Sequence, residues 1–333
     1  VNAYSSRPAG SHAADLLAAH AQLLSIAGFF LLIVVIFAVT SPVFLTAGNL
    51  LNVLRQAAPI LVVAVAMTFV ITTGGIDLSV GSQVALVNAL AAILIAAGVP
   101  WQAVVPLLLG TGALIGLVQG WFIAFQGIQP FIVTLAGLSM LRGIALLTTE
   151  GFSVPIPADI GFVLIGRGWF AGVPAPAWIA VAAAALGFVA LAFMRFGRYV
   201  TAIGANAEAA RRAGIPTRRY VTLAYVLTGV ASAVAGIIIA ARLGSGSSNA
   251  AVGFELDVIA AVVLGGTSLM GGRGSILGTI LGALTIAVIG NGLILAHVSP
   301  FFTQIVAGSI ILLAVWLNAR VFSRLAAGTR RRT

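Results

Sequence analysis

The sequence predicts an all-α membrane protein, a polytopic bundle of about ten transmembrane helices that includes short, broken or half-helices. Two properties of the 333 residues carry that reading: 61% are hydrophobic with a mean hydropathy of +1.16, and only 7% are charged. A soluble domain is about a quarter charged, so this chain lacks the residues for a water-facing surface. A third property is the distribution of charge. All 17 basic residues are arginine, and they cluster in a few connecting segments.

A spanning helix needs about 20 mostly apolar residues to cross about 30 Å of hydrocarbon. Runs of that kind lie near 23–40, 59–73, 80–97, 102–125, 130–148, 176–194, 220–241, 254–264, 275–296 and 302–318. The second and eighth are short, each either a half-helix or a helix that extends into a neighbouring polar segment. The run 23–40 is followed by Ser41-Pro42 rather than by a small-x-small cleavage site, so it reads as a retained first helix and not as a signal peptide. The organisation is then a cytoplasmic segment over 1–22, a membrane domain over 23–318 and a basic cytoplasmic tail over 319–333. The tail suits anionic lipid headgroups.

Arginine sets the orientation. Six runs precede the loop 195–219 and four follow it, so that loop and both termini share a side. Placing that side in the cytoplasm puts 13 arginines inside, three outside (Arg55, Arg167, Arg242) and one, Arg142, within a span. The proline-containing loop 149–175 then faces outward and has the polar and aromatic content of an ordered segment.

Composition also excludes chemistry. Without lysine there is no Walker A motif and no Schiff-base nucleophile. Without cysteine, and with His12, His20 and His297 scattered, no thiolate or histidine metal cluster forms. No G-x-S-x-G, H-E-x-x-H or paired catalytic carboxylates occur, so no catalytic residue is nominated. The net charge of +10 reflects inner loops rather than nucleic-acid binding.

Four segments are candidates for function. In Thr72-Thr73-Gly74-Gly75-Ile76-Asp77-Leu78-Ser79-Val80-Gly81-Ser82, glycines break two apolar runs. Irregular backbone at membrane depth survives only when buried in protein or lining water. Asp77, Ser79 and Ser82 are therefore candidates for a solute path, and Asp77 or Ser79 equally suits a helix N-cap. The second break, Gly265 to Ser275, contributes Thr267 and Ser268. Its Gly272-x-Gly274 lacks the preceding strand of a dinucleotide site, whereas Gly274, Gly278 and Gly282 suit close helix packing. The two breaks share a G-G-x-x-L pattern; an alternative register sets Ile76-Asp77-Leu78 against Glu255-Leu256-Asp257. Arg142 needs carbonyls, a partner or water, as a structural tie or as a solute contact. Finally, Glu208-Ala209-Ala210-Arg211-Arg212-Ala213-Gly214 reads as a short helix ended by Gly214, its small alanines suited to a groove on another protein, or as a solvated basic loop.

The stretches G-G-I-D-L-S-V-G-S at 74–82 and E-L-D-V-I-A-A-V-V-L-G-G-T-S-L-M-G-G-R-G-S at 255–275 resemble the ribose-type permease subunits of bacterial ABC importers. Phe196-Gly197-Arg198-Tyr199, Ala202-Ile203-Gly204-x-Asn206 and the E-A-A-x-x-x-G core at 208–214 are similar too. The resemblance runs over roughly residues 20–320. It implies a multi-pass inner-membrane permease that carries a monosaccharide by alternating access. It further implies a cytoplasmic ATP-binding subunit that binds the ATP, a periplasmic sugar-binding protein and a second permease copy; the chain itself needs no cofactor. Glu208, Ala209, Ala210, Arg211, Arg212 and Gly214 become the coupling residues that meet the ATPase. The rival expectation is an ion-coupled secondary transporter using Asp77.

Overall fold

The computed structural model describes residues 10–299 and isolated helical positions between 302 and 312, with side chains from residue 23 onward. Helix α1 (Gly10–Thr40) is followed by α2 (Ala47–Thr72), α3 (Val80–Ala96), α4 (Trp101–Ala124) and α5 (Pro130–Thr149). The segment after α5 then forms β1 (Ser153–Pro155), a 3-10 turn (Gly161–Val163), α6 (Leu164–Arg167) and the hairpin β2 (Trp169–Phe170) with β3 (Val173–Pro174). Helices α7 (Ala175–Ala192), α8 (Arg195–Ala205), α9 (Ala207–Arg212) and α10 (Thr217–Leu243) lead to β4 (Ser245–Ser247), α11 (Phe254–Leu264) and α12 (Ile276–Leu295).

Among the described residues seven helices are long and apolar enough to cross a membrane: α1, α2, α4, α5, α7, α10 and α12. The expected count of about ten is not reached, because α3 has 17 residues and α11 only 11. The run 302–318 and the segments 1–9 and 319–333 lie essentially outside the described residues. The second span takes the longer of its two expected forms, extending into the polar segment before it. Pro59 and the polar residues Asn49, Asn52 and Arg55 interrupt the apolar signal, yet α2 is a continuous 26-residue helix. Thr46 caps its start by accepting the Asn49 N–H. Asn49 and Asn291 exchange two amide hydrogen bonds of 3.0 Å, joining α2 to α12, and Asn52 accepts from Arg55.

Helix α10 lies at the centre, packed against α4, α3 and α2. Small residues make this possible. A Cβ on Gly112, Gly116 or Gly120 of α4 would run into the backbone of Gly229, Tyr225 or Thr222 of α10. Four-residue spacing of glycine lets helices in lipid approach to backbone contact. The same device joins α12 to α11, where Gly278 lies on Gly265 and Gly282 on Ala261; these are two of the glycines expected to act this way.

Helices α7 and α10, at 1.5 Å per residue roughly 27 Å and 40 Å long, separate α8–α9 from the 153–174 segment, so the two stand at opposite ends of the bundle. The 153–174 segment is ordered by pairing: β1 and β4 are antiparallel with Ser153 opposite Ser247, and Trp169 faces Pro174 in the β2–β3 hairpin. Phe162 is fully buried beneath it.

Candidate functional site

The chain between α2 and α3 is where polar side chains collect. Residues 73–79 are irregular and carry Asp77 next to Tyr225, which lies about 12 Å along α10 at 1.5 Å per residue. Val84 and Val87 of α3 face Gly236, about 28 Å along α10 on the same rise. Helix α3 thus starts partway along α10, and its shortness is the consequence.

Asp77 is fully buried. Its Oδ1 accepts the Ser79 N–H at 2.9 Å and the Ser79 hydroxyl at 2.6 Å, while Oδ2 takes a longer contact from Gln83 Nε2 at 3.4 Å. The Ser79 Oγ in turn accepts from Gln83 at 2.7 Å and from Gln119 of α4 at 2.8 Å. Thr134 of α5 donates to the Ile76 carbonyl at 3.3 Å. A buried carboxylate is costly unless hydrogen-bonded, and these donors supply the bonds. Ser79 stands at the N-cap of α3, but its side chain makes no cap bond; it is committed to Asp77. Ser82 is buried one turn further on with an unpartnered hydroxyl.

The start of α11 meets α3 at the same level. A Cβ on Gly81 would strike the Glu255 carboxylate and lie 2.9 Å from the Ala251 carbonyl. Glu255 Oε2 is buried without a hydrogen-bond partner. Arg142 of α5 reaches the adjoining 248–253 loop, where its Nη1 donates to the Ser248 carbonyl at 2.6 Å and the Ala250 carbonyl at 2.9 Å. The Glu255 charge also bears on it. Thr149 bonds the Ser248 hydroxyl. The N-termini of two part-length helices, an acid and an arginine therefore converge inside the bundle. Discontinuous helices whose ends meet at mid-depth are the usual setting for solute contact in transporters.

The second break is built differently. Thr267 Oγ1 accepts the Ser275 N–H at 3.2 Å, Ser268 N–H donates to the Arg273 carbonyl at 3.0 Å, and Ser275 caps α12 by accepting the Gly278 N–H at 3.1 Å. No hydrogen bond among the described residues links Thr267 or Ser268 to the Asp77 network. Leu269 and Met270 are exposed.

In the α8–α9 segment, Asn206 caps α9 by accepting the Ala209 N–H at 2.9 Å. Glu208 pairs with Arg211 at 2.9 Å and with Arg212 at 3.0 Å, and the two guanidinium groups hold its carboxyl below the usual range. Gly214, at φ +83°, lets the chain turn so that the Ile215 N–H closes on the Ala210 carbonyl. Glu208, Ala209, Arg211, Arg212 and Gly214 are exposed, whereas Ala210 is only 5% exposed. Ala210 packs against this chain, so the outward side chains of the segment are those of Glu208, Ala209, Arg211 and Arg212.

Sequence reasoning nominated Asp77, Ser79, Ser82 and Arg142 but passed over Gln83, Gln119, Tyr225 and Glu255. Only Glu255, inside a quoted motif and preceding a short apolar run, carried a usable signal. At the opposite end, the three arginines assigned outside gather in one place. Arg167 Nε donates to the Arg242 carbonyl at 2.7 Å, and Arg55 bears electrostatically on Arg242.

A family profile described as "Branched-chain amino acid transport system / permease component" matches residues 49–315. The ribose import permease protein of Bacillus subtilis is 44% identical over 296 residues, covering 88% of this chain and 91% of the relative. That of Haemophilus influenzae is 40% identical over 293 residues, covering 86% and 90%. The xylose transport system permease protein of Escherichia coli is 34% identical over 341 aligned positions, covering 84% and 87%. No solved structure matches. With the profile and these relatives each spanning most of its length, the chain belongs to the transport-system permease-component family.

Proposed function

We propose that the chain forms the translocation pathway for a monosaccharide in an ATP-driven importer, working with a cytoplasmic ATP-binding subunit, a periplasmic sugar-binding protein and a second permease copy. The observation that carries this is full-length similarity to sugar permeases at up to 44% identity. The family description names branched-chain amino acids, but a family that broad does not set the solute; the ribose and xylose relatives are the narrower guide.

Transport here needs no bond chemistry. Hydroxyl-rich solutes are passed by polar groups that exchange hydrogen bonds without holding tightly, a task suited to Ser82, Glu255 and Arg142 where α3 and α11 meet. The exposed face of α9, with Glu208, Ala209, Arg211 and Arg212, is the contact for the ATP-binding subunit. Differential binding of ATP to two arrangements of the assembly drives alternation. In this reading α8–α9 and both termini are cytoplasmic and 149–175 is periplasmic. The 13-to-3 arginine asymmetry supports that orientation.

Two measurements test the proposal. Reconstituted with its ATP-binding subunit and loaded binding protein, the permease should take up sugar on ATP with no ion gradient; uptake that follows an imposed ion gradient and ignores ATP would refute it. For orientation, single cysteines placed at Phe152 and Arg211 in this cysteine-free chain should differ in whole cells. An impermeant reagent should label position 152 and spare 211, and the reverse pattern would invert the topology.

A further inference from the structure

Three segments far apart in sequence meet at the inner end of the bundle through backbone alone. The Gly272 N–H donates to the Thr72 carbonyl at 2.9 Å, joining the end of α2 to the second break. Gly204 of α8 fits between them, and a Cβ there would strike both the Thr72 carbonyl and the Gly272 nitrogen. A Cβ on Gly271 would lie 2.9 Å from the Gly204 carbonyl and 3.0 Å from the Gly74 nitrogen. Side chains beneath lock the same elements: Thr72 Oγ1 donates to the Thr68 carbonyl at 2.6 Å, and Thr68 shares a 2.8 Å hydrogen bond with Thr279 of α12. The turn at 271–272 has φ of +79° and +74°, a conformation that glycine alone adopts without strain.

We infer that Gly204 is a positioning residue for transport, seating α8 against the end of α2 and the 271–272 turn at once so that the inner segment and both breaks move as one body. The inference rests on the proposed function and adds the place where motion enters the bundle. Helix α8 leads directly into α9, and Asn206 at their junction caps α9. Gly204 stands three residues before the start of α9, so a displacement of α9 reaches it through the Asn206 junction. From there it passes to residues 73–79, which carry Asp77, and to residues 265–275. Packed backbone has no soft side chain to absorb the movement, so the contact behaves as a rigid joint.

The test uses the full permease with its ATP-binding subunit in nanodiscs. A single reporter cysteine replaces Met270, which is 88% exposed beside the junction. With the natural junction, ATP and vanadate should change the labelling rate at position 270. Gly204→Ala should abolish that change while the ATP-binding subunit still co-purifies and basal hydrolysis continues. Gly290→Ala, with open space around the added methyl, should leave the response intact.

A second arm does not depend on folding around a wedge. In a chain whose reporter is labelled and read by fluorescence, Ala205→Cys with Gly272→Cys forms a disulfide after assembly. The Ala205 Cβ lies 3.3 Å from the position a Cβ on Gly272 would take, close to the usual bridging range of about 3.5–4.5 Å. A joint that moves as one body keeps its response when so linked. An unchanged response in Gly204→Ala, or a response that the disulfide stops and reductant restores, overturns the inference. Failure of the unmodified chain to bind the ATP-binding subunit would instead count against the functional reading.

Discussion

The two breaks in the bundle hold themselves together by opposite means. Between α2 and α3 the chain turns around side chains: a buried carboxylate, one hydroxyl and two amides bonded into one network. Between α11 and α12 it turns around backbone. Positive-φ glycines, backbone bonds within the turn and to α2, and the hydroxyl acceptors of Thr267 and Ser275 hold it there. The first turn exposes Gly74 but buries the polar side chains of Asp77 and Ser79, while the second exposes Leu269 and Met270. A network of side chains fixes one arrangement, because each lost partner strands another in low dielectric. A glycine turn is held by few atoms and can shift as a body. The difference gives the first break a polar node held at depth and the second a backbone seat for α8.

If the first break depends on its network, its hub should be the most sensitive position. Asp77→Leu removes the acceptor for the Ser79 N–H and hydroxyl and for Gln83. Each stranded buried donor costs about 1–3 kcal/mol, enough in sum to lose assembly or transport. Asp77→Asn keeps a carbonyl oxygen for the Ser79 N–H and should retain substantial ATP-driven uptake at normal membrane levels. Transport abolished in the asparagine variant, with the protein present, would mean that a charge is required at 77 and would blur the contrast between the breaks.

Much of this architecture is legible in the sequence, and the remainder is hidden for identifiable reasons. The apolar runs, both glycine breaks, the ordered outer segment and the close approach of Gly278 and Gly282 follow from composition and spacing. The length of α2 does not, because Pro59, Asn49, Asn52 and Arg55 read as an interruption. Lipid-embedded helices tolerate such residues when neighbours satisfy them, as Asn291 does for Asn49. Gln83, Gln119 and Tyr225 are each a lone polar residue in an apolar run, with nothing to mark which ones meet. Only the packing of α4 and α10 on the first break brings together residues separated by 36 to 148 positions. The burial of Ala210 is hidden for a different reason: a six-residue helix has too few turns for its buried face to be read from periodicity.

The smallest effect separates the breaks by removing one hydroxyl from each. In the first, the Ser79 Oγ donates to Asp77 and accepts from Gln83 and Gln119. Ser79→Ala therefore deletes one bond to the carboxylate, leaves Gln83 only its longer contacts to Asp77 and Gln119, and strands the Gln119 amide nitrogen, which has no other partner among the described residues. In the second, the Thr267 hydroxyl oxygen accepts from a single backbone N–H at the long distance of 3.2 Å. Thr267→Val keeps the shape and loses that bond alone. A typical hydrogen bond contributes about 0.5–1.5 kcal/mol net, and a stranded buried group costs about 1–3 kcal/mol. The melting temperature of the purified protein should consequently fall clearly for Ser79→Ala and by a fraction of that for Thr267→Val. The ordering matters more than the size, since both variants delete one hydroxyl and differ only in how many partners depend on it. Equal losses would show that the second break also rests on a side-chain network, and the division of labour between the two turns would have to be abandoned.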